Sequence, residues 1–560
     1  MTKDLIGCIL PADASTNILS DRSSSLILVV LRQRRVFCAP SHISLALAAL
    51  VASACGRFDF GVGGGGPCAS AIDCDDGNPC TDDACVVDTC QHVDNTASCD
   101  DGDACTVGDQ CTLGVCGAGA ATGCPAQLRV IDRSVGVDDG SARVAGTGAL
   151  AIVGTTATFA TPLPDNIGVG DALEYDANGD GTLDALAFVH QRLSAQVYLV
   201  RDSAGATPAP TASATAKWSV FRAYLSLANA VDMGDGGTHN PNITVAAFDG
   251  YGAGRNLVAN NEQWSFACYD DGAVDTVGVG ICDTMYARSC STGWTTDASH
   301  FLRIYTPTDP SEVGTSQRHR GIWGTGYQRS DGIIMLEGFV HLDGMSIKRT
   351  TTGIGRSYYV ETEGSGGEVW ISNSFGWSTL QGASKIYDIW DTGVAATGGT
   401  YTRYWLWNDI AYNETIGDAR SGFYLNSNRA DVHVESCTSY VAGGGAYYQS
   451  STAHVTLTNC LGYSAANLAF AADDGFDSVT TSVSNDGSLD GTGSGNAWGQ
   501  PTAFVDIASV NVHLDPTGAN PAIRGHGTDL SASTIPFSTD IDGDARPPLG
   551  WDIGADQVPP

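Results

Sequence analysis

The feature that most constrains this chain is a short pattern recurring between Val340 and Asp486. Five segments align without gaps: Val340-His-Leu-Asp-Gly344-Met-Ser-Ile347, Val369-Trp-Ile-Ser-Asn373-Ser-Phe-Gly376, Tyr404-Trp-Leu-Trp-Asn408-Asp-Ile-Ala411, Val432-His-Val-Glu-Ser436-Cys-Thr-Ser439 and Val455-Thr-Leu-Thr-Asn459-Cys-Leu-Gly462. Val479 is read as the start of a sixth, and the steps between starts are 29, 35, 28, 23 and 24 residues. Internal periods of this size mark a solenoid. Positions one and three are apolar, and positions two and four are polar or aromatic, which is the alternation of a half-buried strand. Position five is Gly, Asn, Asn, Ser, Asn, residues that accept a left-handed backbone, so a sharp bend is expected there. Position six (Met345, Ser374, Asp409, Cys437, Cys460) is expected to turn inward again. One strand–bend–strand coil cannot bury its apolar face alone, whereas stacked coils can.

These segments resemble the right-handed parallel β-helix of the pectate-lyase type, including its asparagine ladder, over about residues 218–515. The expected fold class is therefore all-β: a right-handed parallel β-helix (solenoid) with an N-terminal helical cap, preceded by a small β domain and a disulfide-rich module. A β-sandwich with turn asparagines is the alternative.

The chain has 560 residues, only 16% of them charged, and a net charge of −34. Lysine occurs only at 3, 217, 348 and 385. That balance argues against nucleic acid or an anionic membrane surface as partner, and permits calcium. Of 18 cysteines, ten fall within Cys68–Cys124, which points to an oxidising compartment.

Residues 1–54 read as a leader, with 1–31 open to being untranslated. Arg32, Arg34 and Arg35 precede the apolar run Ile43–Ala54, as in a signal peptide. Ala52-Ser-Ala54 suits an ordinary signal peptidase, and Cys55 resembles the lipidated cysteine of a bacterial lipobox, although Ala52 stands where Leu is usual. Residues 55–67 form a Gly-rich tether, so the membrane enters only through a lipid anchor. The expected location is the cell surface, as an outer-membrane lipoprotein, or the extracellular space.

Residues 68–124 contain two copies of one unit. Cys74, Cys80, Cys85 and Cys90 return as Cys99, Cys105, Cys111 and Cys116, with Cys68 and Cys124 flanking. With almost no large apolar side chains, disulfides must hold this module together. Zinc is the rival reading, but no CxxC pair occurs. The unit resembles the slime-mould-type Cys-Thr-Asp-Cys repeat, which implies a stalk or adhesive spacer.

Residues 125–217 read as a small β domain. Within it Asp176, Asn178, Asp180 and Asp184 have the spacing of half a calcium loop, but Ala187 stands where a bidentate Glu belongs, so a hairpin turn with or without calcium is expected. Phe221, Leu225 and Ala228 suggest an amphipathic helix over 218–230, and Asn242–Tyr251 a first strand; together they resemble the N-terminal cap of β-helix proteins. Two of Cys268, Cys282 and Cys290 are expected to pair. The cluster Glu312–Trp323, with Arg318, His319 and Arg320, is either a sugar-acid site or a loop bracing neighbouring coils. Ser538-Thr-Asp-Ile-Asp-Gly-Asp-Ala-Arg-Pro547 and Trp551-Asp-Ile-Gly-Ala-Asp556 resemble the closing signature of "choice-of-anchor" bacterial surface proteins over about 519–556, which implies a C-terminal cap at 516–560. Arg524-Gly-His526-Gly invites comparison with polygalacturonases, but the Asn-Thr-Asp and Asp pair those enzymes need are missing.

Positions two and four of the repeat place His341 and Asp343, Trp370 and Ser372, Trp405 and Trp407, His433 and Glu435, and Thr456 and Thr458 on one outer face. Aromatic rings among carboxylates and imidazoles suit sugar rings and their hydroxyls. Trp370, Trp405, Trp407 and His341 are the ligand-binding candidates, and Asp343, His433 and Glu435 the acid/base candidates. The expectation is non-catalytic binding or adhesion toward a polysaccharide or cell-surface glycan, or a structural role. The alternative is a polysaccharide lyase or glycoside hydrolase acting on an acidic polysaccharide. Cys437 and Cys460 stack in adjacent coils as either a disulfide or a buried thiol column.

Overall fold

The computed structural model describes residues 127–559 apart from short segments, the longest being 283–292 and 392–400, together with parts of 74–121 and the short strands Ile18–Leu19 and Leu28–Val29. The rest of the leader, Cys55, the tether, Cys68, Cys105, Cys124 and Cys290 lie outside the described residues. The chain divides into two units, 1–124 and 125–560.

In the first unit two hairpins are built around directly opposed cysteines, Cys85 facing Cys90 and Cys111 facing Cys116. Disulfides join Cys74 to Cys90 and Cys99 to Cys116, the equivalent pair in each copy, and Cys80 to Cys111 across the copies. Cys85 is also disulfide-bonded. Among the described residues these bonds leave no free thiolate in this unit for zinc.

The second unit is a parallel β-helix of three sheets. The first has nine strands, from Arg129–Val135 through Phe339–Asp343, Glu368–Ser372, Thr402–Trp407, Ala430–Glu435 and His454–Thr458 to Ser478–Thr480. The second has eight strands, from Val274–Asp275 to Val483–Ser484, and the third seven, from Val279–Ile281 to Phe470–Ala472. Seven coils thus contribute three strands each, while Arg129–Val135 begins the first sheet alone and the last coil supplies only Ser478–Thr480 and Val483–Ser484. The repeat alignment is the register of the first sheet: Val340 pairs with Val369, Val369 with Tyr404, Tyr404 with Val432, and Val432 with Val455. Val479 does not start the sixth repeat. It pairs with Leu457 and so occupies position three.

Position five is left-handed throughout, at Gly344, Asn373, Asn408, Ser436 and Asn459, and again at Thr481. The ladder runs from Asn408 Nδ2 to Asn373 Oδ1 (3.1 Å) and from Asn459 Nδ2 to Ser436 Oγ (3.4 Å). Position six is fully buried in every coil, and the bend dictates its chemistry. The bend turns a backbone N–H and a C=O into the lumen, where each needs a partner. The next coil's position-six side chain takes the N–H: Met345 N donates to Ser374 Oγ, Ser374 N to Asp409 Oδ1 (2.8 Å), Asp409 N to Cys437 Sγ and Cys460 N to Ser482 Oγ. Tyrosine hydroxyls of the third sheet take the C=O: Tyr358 donates to Met345 O, Tyr387 to Ser374 O and Tyr447 to Cys437 O. Those tyrosines stack with Phe423 and Phe470 into a continuous column, with successive centroids 4.6, 4.5, 5.0 and 4.8 Å apart. Cys437 and Cys460 are free buried thiols.

Three expectations change. First, Arg129–Val135 belongs to the solenoid, pairing in parallel with Glu262–Cys268, and the small β domain is an insertion between these two strands. Its seven antiparallel strands, Val144–Thr147 to Lys217–Phe221, have their own core. The chain returns at Arg222, which is buried between Asp171 (2.7 Å) and Asp271 (2.9 Å) against the Tyr269 ring. Trp218–Phe221 is consequently strand, because Trp218 and Val220 face the inserted core with period two. The helix is only Leu227–Val231, and its buried residues join the lumen cluster. Second, the described part of Asn242–Tyr251 forms no strand. Third, the C-terminal segment packs along the solenoid's side. Phe504–Asp506 and Asn511–Leu514 pair antiparallel, and Val510, Val512, Ile541 and Ala555 cover Phe375, Ile410 and Tyr412 of the second sheet. An apolar outer face on that sheet demands such a cover. Arg546 fastens it, donating to Asn408 Oδ1 and to the carbonyls of Thr539, Asp552, Gly554 and Ala555.

Candidate functional site

The outer face of the first sheet carries the two columns read from the repeat. Column two runs Arg303, His341, Trp370, Trp405, His433, Thr456; column four runs Tyr305, Asp343, Ser372, Trp407, Glu435, Thr458. Pairing in register places the rings of column two one strand spacing apart, so they stack. His341 lies parallel to Trp370 at 3.7 Å and against Phe301 at 4.1 Å, and Trp405 lies on His433 at 3.9 Å. The stacking uses up the flat faces that sugar rings were expected to occupy. Trp405 is only 6% exposed, so it is a packed residue and not an open binding platform.

Trp370 and Trp407 stay half-exposed. They meet edge to face at 5.9 Å, and Trp370 Nε1 donates to Glu368, itself paired with Arg403 at 2.8 Å. Trp407 also lies nearly parallel to Phe537 of the C-terminal segment, 6.3 Å away.

The acid/base candidates differ sharply. Asp343 pairs with Arg318 and accepts hydrogen bonds from Ser372 Oγ (2.8 Å) and Asn373 Nδ2 (2.6 Å), so it is fully engaged. His433 sits 3.2 Å from Asp431. His341 is held down to about 3, chiefly by burial and then by Arg303, and is neutral at physiological pH. Glu435 has no side-chain partner among the described residues, and burial alone pushes its carboxyl up to about 7. Asp343 and Glu435 are three coils apart in one column, about 14 Å at the usual strand spacing. Paired glycosidase carboxylates stand roughly 5–9.5 Å apart, so these two do not form such a pair.

The structure brings in residues that sequence reading missed. Arg303 and Tyr305 extend the columns by one coil; the alternation Leu302-Arg-Ile-Tyr305 carried that signal, but Thr306 hides the position-five signature. Arg318 and Phe537 arrive from distant segments and left no local signal. The Glu312–Trp323 cluster braces coils: Arg303 bonds Glu312, Arg318 bonds Asp343, and His319 is buried. His526 is exposed on the C-terminal segment.

The loop at Asp176, Asn178, Asp180 and Asp184 joins the antiparallel strands Ala172–Tyr175 and Ala185–Arg192. Asp176 accepts from Gly179 N and Gly181 N, Asn178 from Asp180 N, Asp180 from Thr182 N and Asp184 from Ala177 N. The loop is thus a hairpin turn closed by its own amides. No helix among the described residues is long and apolar enough to cross a membrane.

No protein-family model matches this chain, and neither a curated protein nor a solved structure is detectably similar to it.

Proposed function

We propose that this protein binds a glycan without cleaving it, along the outer face of the first sheet between Trp370, Trp407 and Glu435. The observation that carries the reading is Trp407: a half-exposed indole beside the Glu435 carboxyl, which burial pushes up to about 7, with the hydroxyl of Thr458 one coil further on. An indole and neighbouring polar groups supply the apolar contact and hydroxyl recognition that a sugar needs. The cysteine-built N-terminal unit supports an oxidising, extracytoplasmic setting. Attachment through Cys55, calcium at Asp176–Asp184 and kinship with pectate-lyase-like surface proteins belong to the same proposal. The second reading is a polysaccharide-cleaving enzyme, favoured by Glu435 alone, since a carboxyl near neutrality suits a general acid.

Affinity electrophoresis of the full-length chain through gels containing neutral or acidic polysaccharides tests both, with reducing ends and unsaturated products assayed in parallel. Retardation by one polysaccharide, weakened about tenfold (~1.4 kcal/mol) in Trp407→Ala and kept in Trp405→Phe, is the expected result. Product formation abolished in Glu435→Gln would establish the enzyme reading. Free migration through every gel would sink the glycan reading.

A further inference from the structure

The C-terminal segment gathers a second constellation, far in sequence from the repeat. One ligand atom from each of His513, Asp542 and Asp556 lies within 4.8 Å of the others. His513 is on the strand Asn511–Leu514, Asp542 in the turn closed by Asp540 N to Asp544 O, and Asp556 in the run that covers the second sheet. Long-range packing alone assembles them.

The imidazole is oriented. Asn511 Oδ1 accepts from the His513 backbone N–H (3.1 Å) and lies 2.6 Å from Nδ1. That oxygen only accepts, so Nδ1 carries a proton, and Nε2 faces Asp542 Oδ1 at 3.2 Å. A second ring N–H donated to an amide oxygen is how metal-bound histidines are usually held.

The carboxylates tell the same story. Asp556 is 8% exposed, and its Oδ2 accepts from Leu514 N. Asp540 is fully buried and bonded by the N–H groups of Asp542, Asp544 and Gln557. Arg546 gives its donors to carbonyls and to Asn408. Buried acidic groups are normally paired with cations or coordinate metal. The three side chains also line an open cavity of about 280 Å³, with Arg320 and Asn511 on its wall. That leaves room for water or a ligand at the remaining coordination positions.

We propose that His513, Asp542 and Asp556 bind one divalent transition-metal ion, zinc by preference, with an open position facing this cavity. One imidazole nitrogen and two carboxylates suit zinc or manganese, whereas calcium favours an all-oxygen shell. The site is independent of the glycan face and stands or falls separately.

Isothermal titration of the full-length, chelator-treated chain with ZnCl₂ tests it, with MnCl₂ and CaCl₂ run beside it. The expected result is one zinc per chain, bound at least tenfold tighter than manganese or calcium. Binding should weaken at least 100-fold in His513→Gln and in Asp542→Asn, which keeps the side chain's size but removes its charge. Asn511→Ala leaves all three ligands in place and should weaken zinc 10- to 100-fold by freeing the ring. Circular dichroism and the unfolding midpoint without metal establish that each variant is folded. Zinc binding equal in wild type and all three variants, no zinc binding, or tighter calcium lost in Asp542→Asn would each overturn the proposal.

Discussion

Asp409 should make the solenoid less stable as pH rises, and Asp409→Asn should remove that dependence. The carboxyl lies in the lumen at position six with no exposed surface. Its Oδ1 accepts from Ser374 N at 2.8 Å, and its Oδ2 has no hydrogen-bond partner. Burial, opposed only in part by the Ser374 N–H, pushes its proton affinity well above the ordinary carboxylate range. The native state therefore binds one proton that the unfolded chain releases above its own pKa. Its stability contribution is fully present below the ordinary carboxylate pKa near 4 and declines as pH rises toward the native value, by about 1.4 kcal/mol per pH unit while the native group stays protonated. Between pH 5 and 7 the wild type should lose stability relative to Asp409→Asn, by at most about 2.7 kcal/mol. Asparagine mimics the neutral acid and still accepts from Ser374, whereas Asp409→Ala would orphan that N–H at about 1–3 kcal/mol. Urea unfolding of the full-length chain at pH 5, 6 and 7, followed by far-ultraviolet circular dichroism, measures the difference. Parallel pH dependence in wild type and Asp409→Asn would refute the reasoning.

Three further outcomes follow from the same geometry. Asn459 holds a left-handed backbone while bonding Ser436, Thr481 and Thr528, so Asn459→Ala should destabilise by about 2–4 kcal/mol, and Asn459→Gly by about 1 kcal/mol less because only the strain is relieved. A larger loss for Gly than for Ala in urea unfolding would show that strain is irrelevant there. Arg546→Ala removes five hydrogen bonds and should detach the C-terminal segment; limited proteolysis should then cut between 504 and 558 under conditions where wild type is resistant. Unchanged protection would mean that apolar packing alone holds the segment. Cys437 and Cys460 are buried free thiols, with Cys437 held well above its usual pKa and Cys460 pushed up to about 12 by burial, so alkylation should spare both in the native chain and label both in denaturant. A disulfide-linked peptide carrying both residues would contradict the lumen geometry.

The sequence by itself determined the solenoid. Its period, its apolar positions one and three and its left-handed residues at position five are local properties of each coil. Because stacking repeats one register, five aligned segments sufficed to fix which side chains share a face. The cysteine module was legible as a disulfide framework for a similar reason, two copies of one spacing, but its pairing, Cys74–Cys90, Cys99–Cys116 and Cys80–Cys111 across the copies, came only from the structure.

Tertiary structure decided what each shared face is worth. Stacking at one strand spacing turned His341, Trp370, Trp405 and His433 toward one another, and so removed the flat surfaces their composition advertised. The position-six column looked arbitrary in sequence because its chemistry answers backbone groups of the preceding coil. The inserted β domain hid the first solenoid strand, since Arg129–Val135 finds its partner at Glu262–Cys268, across more than a hundred residues. The C-terminal segment follows the same logic. Nothing local to His513, Asp542 or Asp556 announces their meeting, because packing against the second sheet brings them together. Short-range repetition is written in the chain, but contacts between non-repeating segments exist only once the apolar faces have found their cover.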